Sequence, residues 1–358
     1  MRQKLPDFPW DALAPYGAIA KKHPQGAIDL SVGTPVDPTP EFIQKAFQEA
    51  ANSPSYPVTV GTPELREAIT AWAKKYLGAT GDFGVLPLIG SKEFVAWLPT
   101  FIEAQSVLYP DVAYPTYLVG SLLAEATATP VSLDATGWPQ ADMAWVNSPS
   151  NPTGRVHSEA EFKAAIDWSR KNKSVVVSDE CYLEFGDSVK PTSILNYTGG
   201  DNTNILAVHS LSKRSSMAGY RAAFIVGDPA LIARILEVRK HAGMMVPLPV
   251  QVAMVAALSD EEHVVQQRAR YNARRATLTP ALRAAGFTIE NSEAGLYIWA
   301  TRNENCWDSV SWLAELGIIA TPGVFYGDLG ASHIRIAMTA TDAQISEAAA
   351  RISSKVGA

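Results

Sequence analysis

Cysteine is scarce in this chain: 2 residues in 358, Cys181 and Cys306, far apart in the sequence. So few thiols argue against a disulfide framework and fit a reduced, cytosolic protein. No Cys-x-x-Cys and no His-Glu-x-x-His occurs, and the 6 histidines are scattered, so no metal site is expected. No apolar run approaches the roughly 20 residues needed to span a bilayer. The start, residues 1–10, is polar and punctuated by proline, without the apolar core of a secretory signal. A cytoplasmic location is therefore expected. A net charge of −6 argues against nucleic acid or an anionic membrane as the main partner. Repeats and low-complexity tracts are absent too.

What is present is the composition of an ordinary globular protein, 47% hydrophobic and 18% charged, long enough for one large core and a smaller one. Between about residues 60 and 245, helical and strand-like segments alternate. Thr62 caps a predicted helix with Pro63 at its first position, and Leu65, Ile69, Trp72 and Tyr76 recur at helical spacing until Gly78. Ser158 and Glu161 read as a capping box. Short apolar runs at 85–89, 143–146, 174–177, 204–208 and 222–226 read as strands. The alternation predicts an α/β fold, with a mostly parallel central sheet covered on both faces. Beyond 246 a long helical stretch, 249–284, precedes separated strands at 287–290, 296–300, 318–320 and 334–337, as in a smaller α+β unit. The expected division is a large domain over 45–245 and a small one over 1–44 and 246–358.

Ligands of open α/β sheets bind beyond the carboxyl ends of the strands, and here those ends carry unusual side chains. One strand runs into Ser210-Leu211-Ser212-Lys213, with Arg221 eight residues after the lysine. That places an amine, two hydroxyls and a guanidinium at one turn. The lysine is a candidate for a Schiff base with an aldehyde, and Arg221 with Ser210 for a phosphate clamp. An aldehyde and a phosphate on one molecule suggest pyridoxal 5'-phosphate. The first strand ends in Gly90-Ser91-Lys92 before a helix, an arrangement that either is an ordinary turn or offers free amides to a phosphate. Asn151, in Asn147-Ser148-Pro149-Ser150-Asn151-Pro152-Thr153-Gly154, sits in a proline-rigid loop that can hold its amide at a fixed point. Asp179 follows three valines, so it emerges from a buried strand. Either it caps a helix or it pairs with a cation such as a pyridinium N–H.

In this order the motifs resemble the class I aminotransferases of pyridoxal phosphate fold type I, over nearly the whole chain. The most specific parts are Asn151 to Gly154, Ser178-Asp179-Glu180-Cys181-Tyr182, and Ser210 through Lys213 to Arg221. The resemblance implies that Lys213 carries the cofactor and moves the substrate Cα proton, and that Asp179 pairs with the ring nitrogen. Asn151 and Tyr182 would bond the ring 3'-oxygen. Gly90, Ser91, Lys92, Ser210 and Arg221 would hold the phosphate. Tyr117 would stack on the ring, and Tyr56 would reach the phosphate of a neighbouring subunit, making a homodimer with shared sites. Arg335, on an alternating strand, would bind the substrate α-carboxylate, with Gly33 closing over it.

Two departures stand out: Ala223 where glycine is frequent in relatives, and Ser215 where an aromatic is frequent, which leaves room near the lysine. The strings Ser210 to Ser215 and Arg239 to Pro247 are similar to actinobacterial N-succinyl-LL-diaminopimelate aminotransferases. The implied reaction exchanges an amine between N-succinyl-LL-2,6-diaminopimelate and 2-oxoglutarate by ping-pong half-reactions. Arg214, Lys240 and His241 are candidates for meeting the distal carboxylates. The alternatives are an LL-diaminopimelate, aspartate or aromatic aminotransferase, or a β-lyase of the same fold. A non-catalytic regulator would need a DNA-binding module, for which the acidic chain offers no sign.

Overall fold

Three successive valines, Val175 to Val177, show how the centre of the fold is built. In the computed structural model, Val176 packs on one face of the sheet and Val177 on the other, as alternate strand residues must. The structure describes residues 5–356, so the first four residues of the polar start lie outside the described residues. Seven strands form the central sheet, in spatial order Gly84–Leu88, Ala223–Gly227, Ile205–Ser210, Val175–Asp179, Met143–Asn147, Ser106–Pro110 and Thr127–Val131. Only Ala223–Gly227 pairs antiparallel to its neighbours. Both sheet faces are covered: one by a core including Leu65, Ile69, Phe162 and Met254, the other by a core including Phe94, Leu98, Tyr117 and Trp145. This is the α/β architecture expected.

The strand register decides where the chemistry lies. Asn147 is level with Asp179, and Asp179 with Val208, so neighbouring parallel strands finish together at one edge. Helices start at that same edge. Ser91–Phe101 begins directly after Gly90, and the short helix Leu211–Arg214 directly after Ser210. Thr62 accepts from the Leu65 amide and Ser158 with Glu161 completes a capping box, contributions of about 1 kcal/mol each. Two strands at one side of the sheet, Ser106–Pro110 and the edge strand Thr127–Val131, had no clear sequence signal, since the second is barely apolar.

The second unit has a four-stranded antiparallel sheet, Thr321–Pro322, His333–Ala337, Tyr297–Thr301 and Thr288–Glu290, and a core of its own. Helix Glu262–Ala284 packs on helix Asp342–Val356 there. The predicted single helix over 249–284 is two helices, Leu248–Ser259 and Glu262–Ala284. The first packs on Glu41–Glu49 and puts Val250, Met254 and Leu258 into the large core, so residues 246–259 belong with the large unit and not the small one. Among the described residues no helix is long and apolar enough to cross a membrane.

Candidate active site

A cavity of about 650 Å³ opens at the carboxyl edge of the central sheet, between it and the small unit. Of the predicted site residues, Gly33, Ser91, Lys92, Tyr117, Asn151, Asp179, Tyr182, Ser210, Lys213, Arg221 and Arg335 all line it. Gly90 stands behind Arg221. Tyr56 does not reach the cavity of its own chain; its side chain is 93% exposed.

Lys213 extends from the short helix after Ser210, and among the described residues no hydrogen bond or ion pair engages its amine. Desolvation holds its pKa down at about 8, with further lowering from Arg335 and Arg221, against an opposing effect of Cys181. An amine in that range is available unprotonated near neutral pH, as a nucleophile or a base requires.

Asp179 ends its strand buried. Burial pushes its carboxyl above the ordinary range, restrained by hydrogen bonds from Cys181 and Tyr117 and by nearby His209. Tyr117 donates to Oδ2 at 2.9 Å and the Cys181 amide to Oδ1 at 3.2 Å. No ion pair among the described residues engages this carboxylate; His209 is itself paired with Glu180 at 3.3 Å. A buried carboxylate left without a cation is costly, and the N–H of a protonated pyridine ring is the partner it lacks.

The anion end is equally well suited. Gly90 has φ +91°, and a Cβ there would collide with the Arg221 guanidinium, so only glycine lets that group lie against the turn. Arg221 donates to the Ala218 carbonyl at 2.9 Å and has no carboxylate partner among the described residues. Ser91, at the first turn of Ser91–Phe101, and Ser210 and Ser212, at the start of Leu211–Arg214, line the cavity beside it. Hydroxyls, a free guanidinium and helix-start amides form a donor set for a phosphate. Glu93 grips the fully buried Arg239 at 3.0 and 3.1 Å and ties this helix to Pro229–Ala242. Together with Asp179 and Lys213, these residues fit pyridoxal phosphate at three separate points.

At the small-unit side, Arg335 is 2% exposed. Its Nη1 donates to Asn151 Oδ1 at 2.9 Å and its Nη2 to the Ser31 carbonyl, while Nε has no partner. Asn151 is held in turn: its amide donates to Asn147 Oδ1 at 2.8 Å, and Asn147 Nδ2 donates to the Asp179 carbonyl at 2.9 Å.

Tyr117 lines the cavity with a buried ring that is also stacked on Trp145 at 5.0 Å, and its hydroxyl donates to Asp179. Tyr114, three residues earlier, lines it as well, with part of its surface exposed. Two expectations need correction. Ser215 does not open space into the cavity: it is buried outside the lining, its hydroxyl bonded to His263 Nε2 at 2.8 Å. Arg214, Lys240 and His241 do not line the cavity. Arg214 is buried between Glu184 at 2.6 Å and Glu261 at 3.4 Å, and Lys240 pairs with Glu237 at 2.6 Å on an exposed helix face.

Other lining residues escaped sequence reasoning. Cys181 lay inside a motif already singled out and Tyr114 three residues before Tyr117, whereas Tyr297 read only as a strand residue. Phe8 and Trp10 come from the N-terminal segment, their rings 5.6 Å apart and tilted by 32°, and Trp10 leans on Phe325. With Val32, Val95 and Val119 they make the outer wall apolar, leaving Lys92 and Asp7 as its charged side chains. Lys92 points away from the phosphate turn, its Nζ 5.6 Å from the Phe8 ring.

Comparison with known proteins agrees with this geometry. The family profile for aminotransferase class I and II matches residues 25–352. The chain is 50% identical to a 4-dedimethylamino-4-oxo-anhydrotetracycline transaminase of Streptomyces rimosus, over 98% of this chain and 99% of that one. It is 51% identical to a probable aminotransferase of Mycobacterium tuberculosis, over 97% and 85%. The solved structure of a probable N-succinyldiaminopimelate aminotransferase from Thermus thermophilus superposes with a TM-score of 0.87 at 26% identity, over 97% of this chain and 100% of that one.

Proposed function

This chain belongs to the class I and II aminotransferase family, and on that premise we propose that it exchanges an amine between N-succinyl-LL-2,6-diaminopimelate and 2-oxoglutarate. The family uses pyridoxal phosphate, which when bound supplies an aldehyde for the amine and a ring that accepts the electron pair left as Cα loses its proton. The residues divide the remaining work. Lys213, desolvated and free of partners, moves the Cα proton. Asp179 keeps a proton at the ring nitrogen, and Tyr117 and the Cys181 amide keep Asp179 in place. Asn151 and Tyr182 would bond the ring 3'-oxygen, and Ser210, Ser91 and Arg221 would hold the phosphate.

The observation that carries the reading is Arg335. A buried guanidinium lining the same cavity as Lys213, both without a carboxylate partner among the described residues, calls for a substrate that brings its own carboxylate. The outer wall supports the finer assignment. An N-acylated side chain carries a neutral amide past Phe8, Trp10, Val95 and Val119, whereas the free ammonium of LL-diaminopimelate would be desolvated there. Lys92, in the same wall, suits a terminal carboxylate. The Thermus thermophilus relative bears the corresponding name.

The same wall favours a second reading, a planar polycyclic ketone as amine acceptor, as the name of the Streptomyces rimosus relative describes for that protein. Both are tested by following glutamate and 2-oxoglutarate with each partner. Glutamate formed from N-succinyl-LL-diaminopimelate, strictly dependent on 2-oxoglutarate, supports the first. Glutamate consumed only when a polycyclic ketone is supplied replaces it with the second. We further propose a homodimer, on the ground that Tyr56 is 93% exposed beside Val58, itself 53% exposed. Sedimentation of the holoenzyme as a monomer would contradict it.

A further inference from the structure

We propose that Tyr297 is a positioning residue that links the guanidinium of Arg335 to the phenol of Tyr182, and so couples the substrate end of the site to the cofactor end. The inference rests on the roles assigned above to Arg335 and Tyr182. In the small sheet Trp299 pairs with Arg335, which sets Tyr297 diagonally across from the arginine. The Arg335 Cζ lies 4.1 Å from the centroid of the Tyr297 ring. The Tyr297 hydroxyl is 3.0 Å from that of Tyr182, with the two rings edge to face at 5.6 Å. Tyr297 is 2% exposed and Tyr182 8%. The hydroxyl also explains Gly33: a Cβ at that position would occupy the same space.

Two phenols bonded to each other have one hydrogen between them and one to spare. Tyr182 needs its own hydrogen on the cavity side, so Tyr297 donates and the Tyr182 oxygen accepts. A cation over the Tyr297 ring draws charge from the phenol and makes it a better donor. A phenol that accepts one hydrogen bond donates the next one more strongly. The charged and titratable groups facing Tyr297 are Arg335 and the phenols of Tyr114, Tyr182, Tyr271 and Tyr326. Burial pushes each of those four phenols upward, which leaves Arg335 the charged member near neutral pH. Asn151 already joins Arg335 to the cofactor side directly, at 2.9 Å. Tyr297 supplies a second connection, through an aromatic face and a hydroxyl.

The test is a pH titration of the absorbance of bound pyridoxal phosphate in the holoenzyme. In Tyr297→Phe the ring stays beneath Arg335 and only the hydroxyl is lost. Its titration midpoint should rise by about half a unit, with KM for the amino donor changed less than about threefold. Tyr297→Leu, which removes the ring as well, should add a rise in KM of about tenfold. Gly33→Ala, which displaces the hydroxyl without touching residue 297, should shift the midpoint in the same direction. Tyr182→Phe should shift it further, and adding Tyr297→Phe to that variant should change nothing more. If Tyr297→Phe titrates with the wild type while Tyr182→Phe shifts, the link is refuted. If Tyr182→Phe also titrates with the wild type, the role of Tyr182 falls and this inference falls with it.

Discussion

At the inner end of the cavity, Asp179 and Ser210 stand at the tips of neighbouring strands, with Asn151 and Lys213 on the turns just beyond. At the outer end, Phe8 and Trp10 arrive on an N-terminal segment that leans on the small unit. Asp179, Ser210 and Asn151 are buried, and Asn147 bonds both the Asp179 carbonyl and the Asn151 amide, while Phe8 is 55% exposed. The inner end therefore has the rigidity to fix a reaction coordinate, and the outer end has a surface that sorts side chains. Chemistry common to a family sits where the sheet dictates position. Selectivity sits where the chain returns to cover it.

That contrast sets the expected sizes of effect. Lys213→Ala should lose about 10⁴-fold in kcat, the upper range for a positioned acid–base group, and the protein should no longer be fixed to its cofactor by borohydride. Asp179→Asn should cost about 10³-fold in kcat with a much smaller change in KM, because it acts on the ring and not on binding. Arg335→Lys should raise KM for carboxylate-bearing donors about 100-fold, since a point charge replaces a planar fork. At the outer end, Phe8→Ala should raise KM about tenfold for N-succinyl-LL-diaminopimelate and leave L-aspartate within twofold or so. Equal losses for both donors would erase the distinction between the two ends. The smallest effect concerns pH. Uptake of pyridoxal phosphate by the apo-protein requires the unprotonated Lys213 amine, whose pKa is lowered to about 8. Its rate should climb to about pH 8 and then level, where an ordinary lysine would keep accelerating beyond pH 10.

The same contrast explains what the sequence disclosed. Asp179 after three valines, Lys213 after Ser210 and Asn151 in its proline-rich loop were legible because a buried strand that ends in a polar group is conspicuous in one dimension. Tyr117 was found, but its stacking on Trp145 was not, because that partner stands on a strand far along the chain. The division into units failed at residues 246–259 because an apolar helix does not announce which of two cores receives it. Arg214 looked free as part of a basic string, and only the fold brings Glu184 and Glu261 to it. Phe8, Trp10 and Tyr297 gave no local signal at all, since each matters through partners far along the chain.

The most direct test of the account is a half-transamination series on the holoenzyme without 2-oxoglutarate, following conversion of the bound cofactor spectroscopically. The donors are N-succinyl-LL-diaminopimelate, LL-diaminopimelate, L-aspartate and L-tyrosine. The account predicts conversion by the N-succinyl donor with kcat/KM at least about tenfold above the others, given the apolar outer wall. Conversion by L-aspartate or LL-diaminopimelate at an equal or greater rate would contradict it.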